Sequence, residues 1–184
     1  MPVSRITAAQ PDTNGPLPLP DPHLTLRPYA HHGVHLEVDR TGAQTTADCP
    51  FCDKEGKFSV EVATTRFKCW VCGAEGNALE FLRQYHAAAV RWTGTEFFRH
   101  VAADRKLLDP GALVAWGVCQ GRDGSWLVPG YRASDGTLDQ LYRRTWVDDA
   151  WCLLPTPGIW PEGRAHALHM PVCDYDPRRP VNVY

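Results

Sequence analysis

The stretch Asp48–Leu82 reads DCPFCDKEGKFSVEVATTRFKCWVCGAEGNALEFL, and the rest of the chain is arranged around it. Two Cys-x-x-Cys turns, Cys49/Cys52 and Cys69/Cys72, are separated by residues 53–68. A tetrahedral zinc ion wants soft thiolates, and each turn delivers two of them from one side. Residues 53–68 suffice for two strands and a turn, which returns the second knuckle to the first. This spacing predicts one structural zinc held by Cys49, Cys52, Cys69 and Cys72. With four protein donors the ion has no open position, so its role is to fold the module rather than to catalyse. The competing readings are a redox dithiol, which usually comes as a single copy opening a helix, and disulfides, which need an oxidising compartment.

Outward from the knuckles, Val34, Leu36 and Val38 alternate with His35 and Glu37 as a half-buried strand would, and residues 43–47 return into the first knuckle. Phe58, Val60 and Val62 alternate again, residues 63–65 turn, and residues 66–70 enter the second knuckle. About four short antiparallel strands around one metal result. Gly73 and Gly76 break the backbone, Asn77 caps a helix with Glu80 three residues on, and Leu79, Phe81, Leu82 and Tyr85 form its apolar side. Thr95 starts a second helix with Phe97, Phe98, Val101 and Leu107, and Asp109-Pro110 a short third with Leu113, Val114 and Trp116. From Trp126 the period changes to that of strands: residues 125–131 and 138–146 form a hairpin, and 151–154 a third strand. Before the ribbon, residues 1–28 carry seven prolines and read as a flexible or polyproline arm.

The 184 residues carry 19 basic and 21 acidic side chains, a net charge of −2, so no polybasic tail gives a long-range pull on nucleic acid. No apolar run approaches the length of a membrane span, and residues 1–20 lack the apolar core of a secretory signal, so the expected location is cytoplasmic. Cys119, Cys152 and Cys173 read as plain thiols.

The segments CPFC (49–52), GKFSV (56–60), FKCWVCG (67–73) and GNALEFL (76–82) resemble the zinc-binding domain of bacterial and phage DNA primases of the DnaG type. Cys52 stands where bacterial members usually have His, as in the four-cysteine version of phage primase–helicases. More weakly, residues 97–157, with WLVPGYRASDGTLDQLYRRT (126–145) and LLPTPG (153–158), resemble the start of the primase RNA-polymerase region. The resemblance implies an α+β chain: an arm (1–28), a zinc ribbon with a C-terminal helix (29–88), and a helical lead-in with a β-hairpin-rich segment (89–184). In the family a Toprim fold follows, where carboxylates hold magnesium. Residues 181–184 would be its first strand, so the chain is expected to be a fragment or half of a split primase, with no catalytic residue of its own.

The implied function is recognition of a single-stranded DNA template during RNA primer synthesis in replication, with the primer, a replicative helicase or the remaining primase half as partners. The alternative is a non-catalytic zinc-ribbon adaptor for nucleic acid or for a replication or transcription protein. Stacking of bases needs aromatic faces and phosphates need cations. On the ribbon these are Lys54, Lys57, Phe58, Arg66, Lys68 and Trp70, while Phe67 reads as core. Phe58 and Trp70 are open between core and stacking, and the four cations have the alternative of a solvated face. Between Asp48 and Gly76 those four cations meet five acids, so binding is expected to be weak and limited to contacts. Arg143 and Arg144, near Arg132, are either a ridge guiding the strand or exposed strand arginines. Asp174-x-Asp176 imitates a metal motif without the upstream strand it needs, and His166 and His169 read as surface residues.

Overall fold

The computed structural model describes residues 22–105, 109–132, 135–147 and 150–159. Around the knuckles, β1 (Glu37–Val38), β2 (Gln44–Ala47), β3 (Phe58–Glu61), β4 (Arg66–Cys69) and β5 (Glu75–Gly76) pair in chain order as one antiparallel sheet. Burial alternates along β3 and β4: Phe58, Val60, Phe67 and Cys69 point inward, while Ser59, Glu61, Arg66 and Lys68 point outward. The register places Phe58 opposite Cys69 and Val60 opposite Phe67, so the apolar residues share the face that carries the thiols.

Helix α3 (Ala78–Trp92) follows directly. Its N-cap is Asn77, whose side-chain oxygen accepts the Glu80 N–H at 2.9 Å, satisfying a donor the helix leaves free. Ala78, Phe81, Leu82, Tyr85, Ala88 and Ala89 are buried at helical spacing. One end of this stripe lies on the ribbon and the other on a second sheet of β6 (Cys119–Gln120), β7 (Trp126–Tyr131), β8 (Leu138–Val147) and β9 (Ala150–Pro155), again antiparallel in chain order. A single apolar core runs from Tyr29 and Phe58 through Phe81 and Tyr85 to Leu127 and Leu141. The division expected between residues 88 and 89 falls within α3. Between α3 and β6, α4 (Thr95–Arg105) and α5 (Gly111–Ala115) add a satellite cluster of Phe97, Val101 and Val118.

Several expectations change. The proline arm lies mostly outside the described residues, but its end is helical: α1 (Pro22–Thr25) and α2 (Arg27–His31). Pro28 sits at the start of α2, where a helix leaves its first N–H groups unpaired anyway, so proline costs little there. This turn drives Tyr29 into the ribbon, fully buried against Phe58, Phe67 and Phe81. The strand expected over 34–38 shrinks to two residues, because the Val34 N–H bonds the Tyr29 carbonyl instead of a neighbouring strand. β5 and β6 were not foreseen; at two residues each they carry no readable period. Leu107, Cys173, the Asp174-x-Asp176 motif, His166 and His169 lie outside the described residues.

Candidate metal centre and the surfaces around it

The two knuckles are built alike. In the first, the Cys49 carbonyl accepts the Asp53 N–H at 3.0 Å and the Cys49 N–H bonds the Lys54 carbonyl at 3.0 Å. In the second, the Cys69 carbonyl accepts the Gly73 N–H at 3.1 Å and the Cys69 N–H bonds the Ala74 carbonyl at 2.7 Å. The chain turns out of each knuckle through the left-handed region, at Asp53 (φ 58°) and Gly73 (φ 76°).

These turns bring the four cysteine sulfurs within 4.8 Å of one another. Cys49 and Cys72 are 3.8 Å apart across the site, and so are Cys52 and Cys69. An ion ~2.3 Å from each of four tetrahedral sulfurs separates them by about 3.8 Å. The cluster therefore fits one zinc ion, and Cys52 takes its place in it with no histidine required. Backbone N–H groups aim at the sulfurs: Phe51 to Cys49 at 3.4 Å, and Val71 and Cys72 to Cys69, both at 3.5 Å. Burial pushes the Cys49 thiol up. Burial opposes ionisation of Cys69 too, but the N–H groups of Cys72 and Val71 outweigh it and bring that thiol down to about 7. Such donors favour the thiolate that a metal needs.

The knuckles differ in what surrounds them. Phe51 packs on Phe58, Phe67 and Phe81 with ring centroids 5.9–6.1 Å away. At the matching positions of the second knuckle, Trp70 and Val71 are 70% and 53% exposed. The Trp70 N–H is held by the Lys57 carbonyl at 3.1 Å, and the Lys68 ammonium lies 4.9 Å from the Trp70 ring centroid while also pairing with Glu75 at 3.1 Å.

The structure separates the nucleic-acid candidates. Lys54, Lys57, Arg66 and Trp70 are exposed and Lys68 is half-buried on the outer sheet face. Phe58 is wholly buried, and this corrects its candidacy for stacking: facing Cys69 across the sheet, it is committed to the core. Arg143 and Arg144 do not form an exposed ridge. Arg143 pairs with Asp123 and donates to the His31 carbonyl at 2.7 Å, tying α2 to the second sheet. Arg144 is buried, with its guanidinium 3.8 Å from the Trp126 ring centroid. Residues adjacent in a strand face opposite ways, so the Arg-Arg pair could not present both to one strand of DNA.

Three residues of the ribbon's seat carried no readable signal: Tyr29, His32 and Arg122. His32 is buried, and its Nε2 lies 2.8 Å from the Thr156 hydroxyl. That hydroxyl gives its proton to the Leu141 carbonyl at 2.7 Å, so Nε2 must donate, and burial of the ring disfavours its charged form. Beside the first knuckle a cleft of ≈ 630 Å³ is lined by Glu37, Asp48, Asp53, Glu55 and Asp123 against Arg122. Its carboxylates would repel a phosphate backbone.

Residues 30–103 match the family model described as the CHC2 zinc finger, Zn_ribbon_DnaG. The chain is 40% identical over 52 residues to a DNA primase of Chlamydia pneumoniae, and 36% identical over 56 residues to one of Mycoplasma genitalium. These matches cover 28% and 30% of this chain, and 9% of each relative's length. A crystal structure of Aquifex aeolicus primase, comprising its zinc-binding and RNA polymerase domains, aligns over 76% of this chain and 53% of that one, at 15% identity and a TM-score of 0.27. Among the described residues no helix is long and apolar enough to cross a membrane. On its four-sulfur geometry and the family match together, the segment 30–103 is similar to the DnaG-type zinc ribbon, in a form that offers four thiolates.

Proposed function

We propose that this ribbon reads a single-stranded DNA template for a primase, with the second knuckle as the reading edge. The observation that carries this is Trp70. Phe51, Phe58, Phe67 and Phe81 close into the core, yet Trp70 stands out in solvent with Lys57 and Lys68 beside it. An exposed indole costs the fold its burial, and it offers a face on which any base can stack while a neighbouring ammonium meets the phosphate. Arg66 extends the cationic side along β4, and Lys54 marks the other knuckle. The mixed charge of the outer face leaves affinity to contacts rather than to a long-range field.

In this reading residues 29–88 are the recognition unit and residues 89–184 are the beginning of an RNA-polymerase region. Magnesium-dependent nucleotidyl transfer belongs to carboxylates of the wider primase, and a replicative helicase or the remaining primase half is the protein partner. One zinc, held by Cys49, Cys52, Cys69 and Cys72, is structural.

The test is binding of short fluorescent single-stranded DNA to the zinc-loaded chain. Stacking of one base is worth ~1–3 kcal/mol, so Trp70→Ala should weaken binding about tenfold while the melting temperature stays put. Arg144→Ala should not act on DNA except through folding. Trp70 and Val71 together also make a small apolar edge, which a protein partner would favour. No measurable DNA binding by the zinc-loaded chain would sink the template reading and leave the adaptor.

A further inference from the structure

We propose that Arg122 is a positioning residue for the zinc site, a clamp by which the second sheet holds the first knuckle in its metal-binding shape. The turn that carries it is rigid. The Gly121 N–H bonds the Ser125 carbonyl at 2.8 Å, the Gly124 N–H bonds the Gly121 carbonyl at 3.0 Å, and Asp123 Oδ1 accepts the Ser125 N–H at 3.0 Å. From this turn the Arg122 side chain crosses to the ribbon. Its Nε donates to the Pro50 carbonyl at 2.9 Å, inside the Cys49–Cys52 turn. Its other nitrogens reach the Asp53 carboxylate at 2.5 and 3.2 Å, and the guanidinium rests 4.6 Å from the Trp92 ring centroid of α3.

The ion pair alone would be a weak argument, since solvent screens an exposed pair, and Asp53 is 69% exposed. Two further facts give the contact its meaning. First, one planar group makes three anchorages at once, to a knuckle carbonyl, a carboxylate and an aromatic face, which a lysine could not reproduce. Second, Asp53 stands in the left-handed region where the other knuckle has Gly73. A side chain there is strained, although aspartate tolerates it better than most. The strained residue is the one that Arg122 grips. The equivalent glycine of the second knuckle has nothing within 4 Å of where a side chain would begin. Strain retained at one of two otherwise matched turns, and offset by a partner from another sheet, points to a role for the carboxylate.

The consequence is linkage: whatever stabilises the metal-binding shape of the knuckle stabilises the seat of the second sheet, and the reverse. Groups hydrogen-bonded to a metal ligand typically change affinity 10–100-fold, and Arg122 holds the residues next to Cys49 and Cys52 rather than the sulfurs themselves. Because this clamp is partly solvated, the lower end is expected. The experiment is competition for zinc between the full chain and a chromophoric chelator. Arg122→Ala and Asp53→Asn should each weaken zinc retention about tenfold, Arg122→Lys should not restore it, and the double variant should lose no more than either single change. Arg132→Ala is the control. It breaks a comparable bidentate pair to Asp139, at 2.7 and 3.0 Å, on the hairpin of the same sheet but away from the knuckle, and should leave zinc retention unchanged. The clamp is overturned if the Arg122 and Asp53 variants hold zinc like the parent, or if Arg132→Ala loses it to the same extent. Neither result involves DNA, so each is separable from the template reading.

Discussion

The two knuckles share a backbone and divide the work. The first is inserted: Phe51 fills the aromatic core, Pro50 is buried with its carbonyl held by Arg122, and Asp53 reaches the second sheet. The second is presented: Trp70, Val71 and Cys72 face solvent, and the turn closes on a glycine with open space beside it. A four-thiolate site needs both halves equally, so the metal does not explain the asymmetry. One half is packed into the molecule, and the other lies open to solvent.

Metal removal should have the largest effect and test the asymmetry most severely. Structural zinc contributes on the order of 10–16 kcal/mol to modules of this kind, so a chelator should open the ribbon, the second knuckle most completely. Amide hydrogen exchange should then show Cys72 and Gly73 at the unfolded rate, while Phe51 and Asp53 keep part of their protection through Arg122 and α3. Equal loss in both knuckles would erase the distinction.

Matched truncations come next. Phe51→Ala removes a ring from the core cluster and should cost ~2–3 kcal/mol in denaturant unfolding of the zinc-loaded protein, below the range of a fully buried ring because Phe51 is only partly covered. Val71→Ala, at the equivalent position, should stay within ~0.5 kcal/mol. Similar costs would mean that the second knuckle is packed against something after all.

The inserted side should also carry the acid sensitivity. Burial, then the neighbouring His31 and Arg143 charges, lower the His32 pKa to about 3, while Asp123 opposes them weakly. The unfolded chain takes up a proton near 6.5 that the folded chain refuses until about 3, so this residue's contribution is intact above 6.5 and is lost as pH falls. Between pH 7 and 5 the loss is ~2 kcal/mol. Thiolate protonation acts over the same range, so the measurement is the difference in pH slope between the parent and His32→Gln, both zinc-saturated. Parallel slopes would refute the assignment.

How much of this was legible in the sequence follows the distance over which each feature acts. The cysteine pairs and the Asn77 cap are local patterns, and they read correctly. The choice between Phe58 and Trp70 was legible in principle. Cys69 must point at the metal, Phe58 stands across from it, and Trp70 follows it with opposite parity, so one faces the core and the other the solvent. The same parity argument removes Arg143-Arg144 as a shared ridge. Tyr29, His32 and Arg122 were not legible, because each acts on residues remote in sequence. A tyrosine after a run of prolines, or an arginine in a Gly-Arg-Asp-Gly turn, gives no local sign of its partner.

The smallest expected effect bears on the origin of the asymmetry. Gly73→Asp gives the second knuckle the residue of the first, with no arginine opposite. Nothing lies within 4 Å of the added side chain's first carbon, so only the backbone conformation is charged for it, ~0.5–1 kcal/mol in thermal or denaturant unfolding. Gly73→Ala should cost slightly more, since alanine lacks the local hydrogen bonds that let aspartate sit at positive φ. A measurable loss in both would mean that Asp53 carries the same strain at its own turn, where Arg122 offsets it. If Gly73→Asp is neutral, aspartate fits either turn freely, the strain argument for the clamp falls, and only the zinc competition would be left to support it.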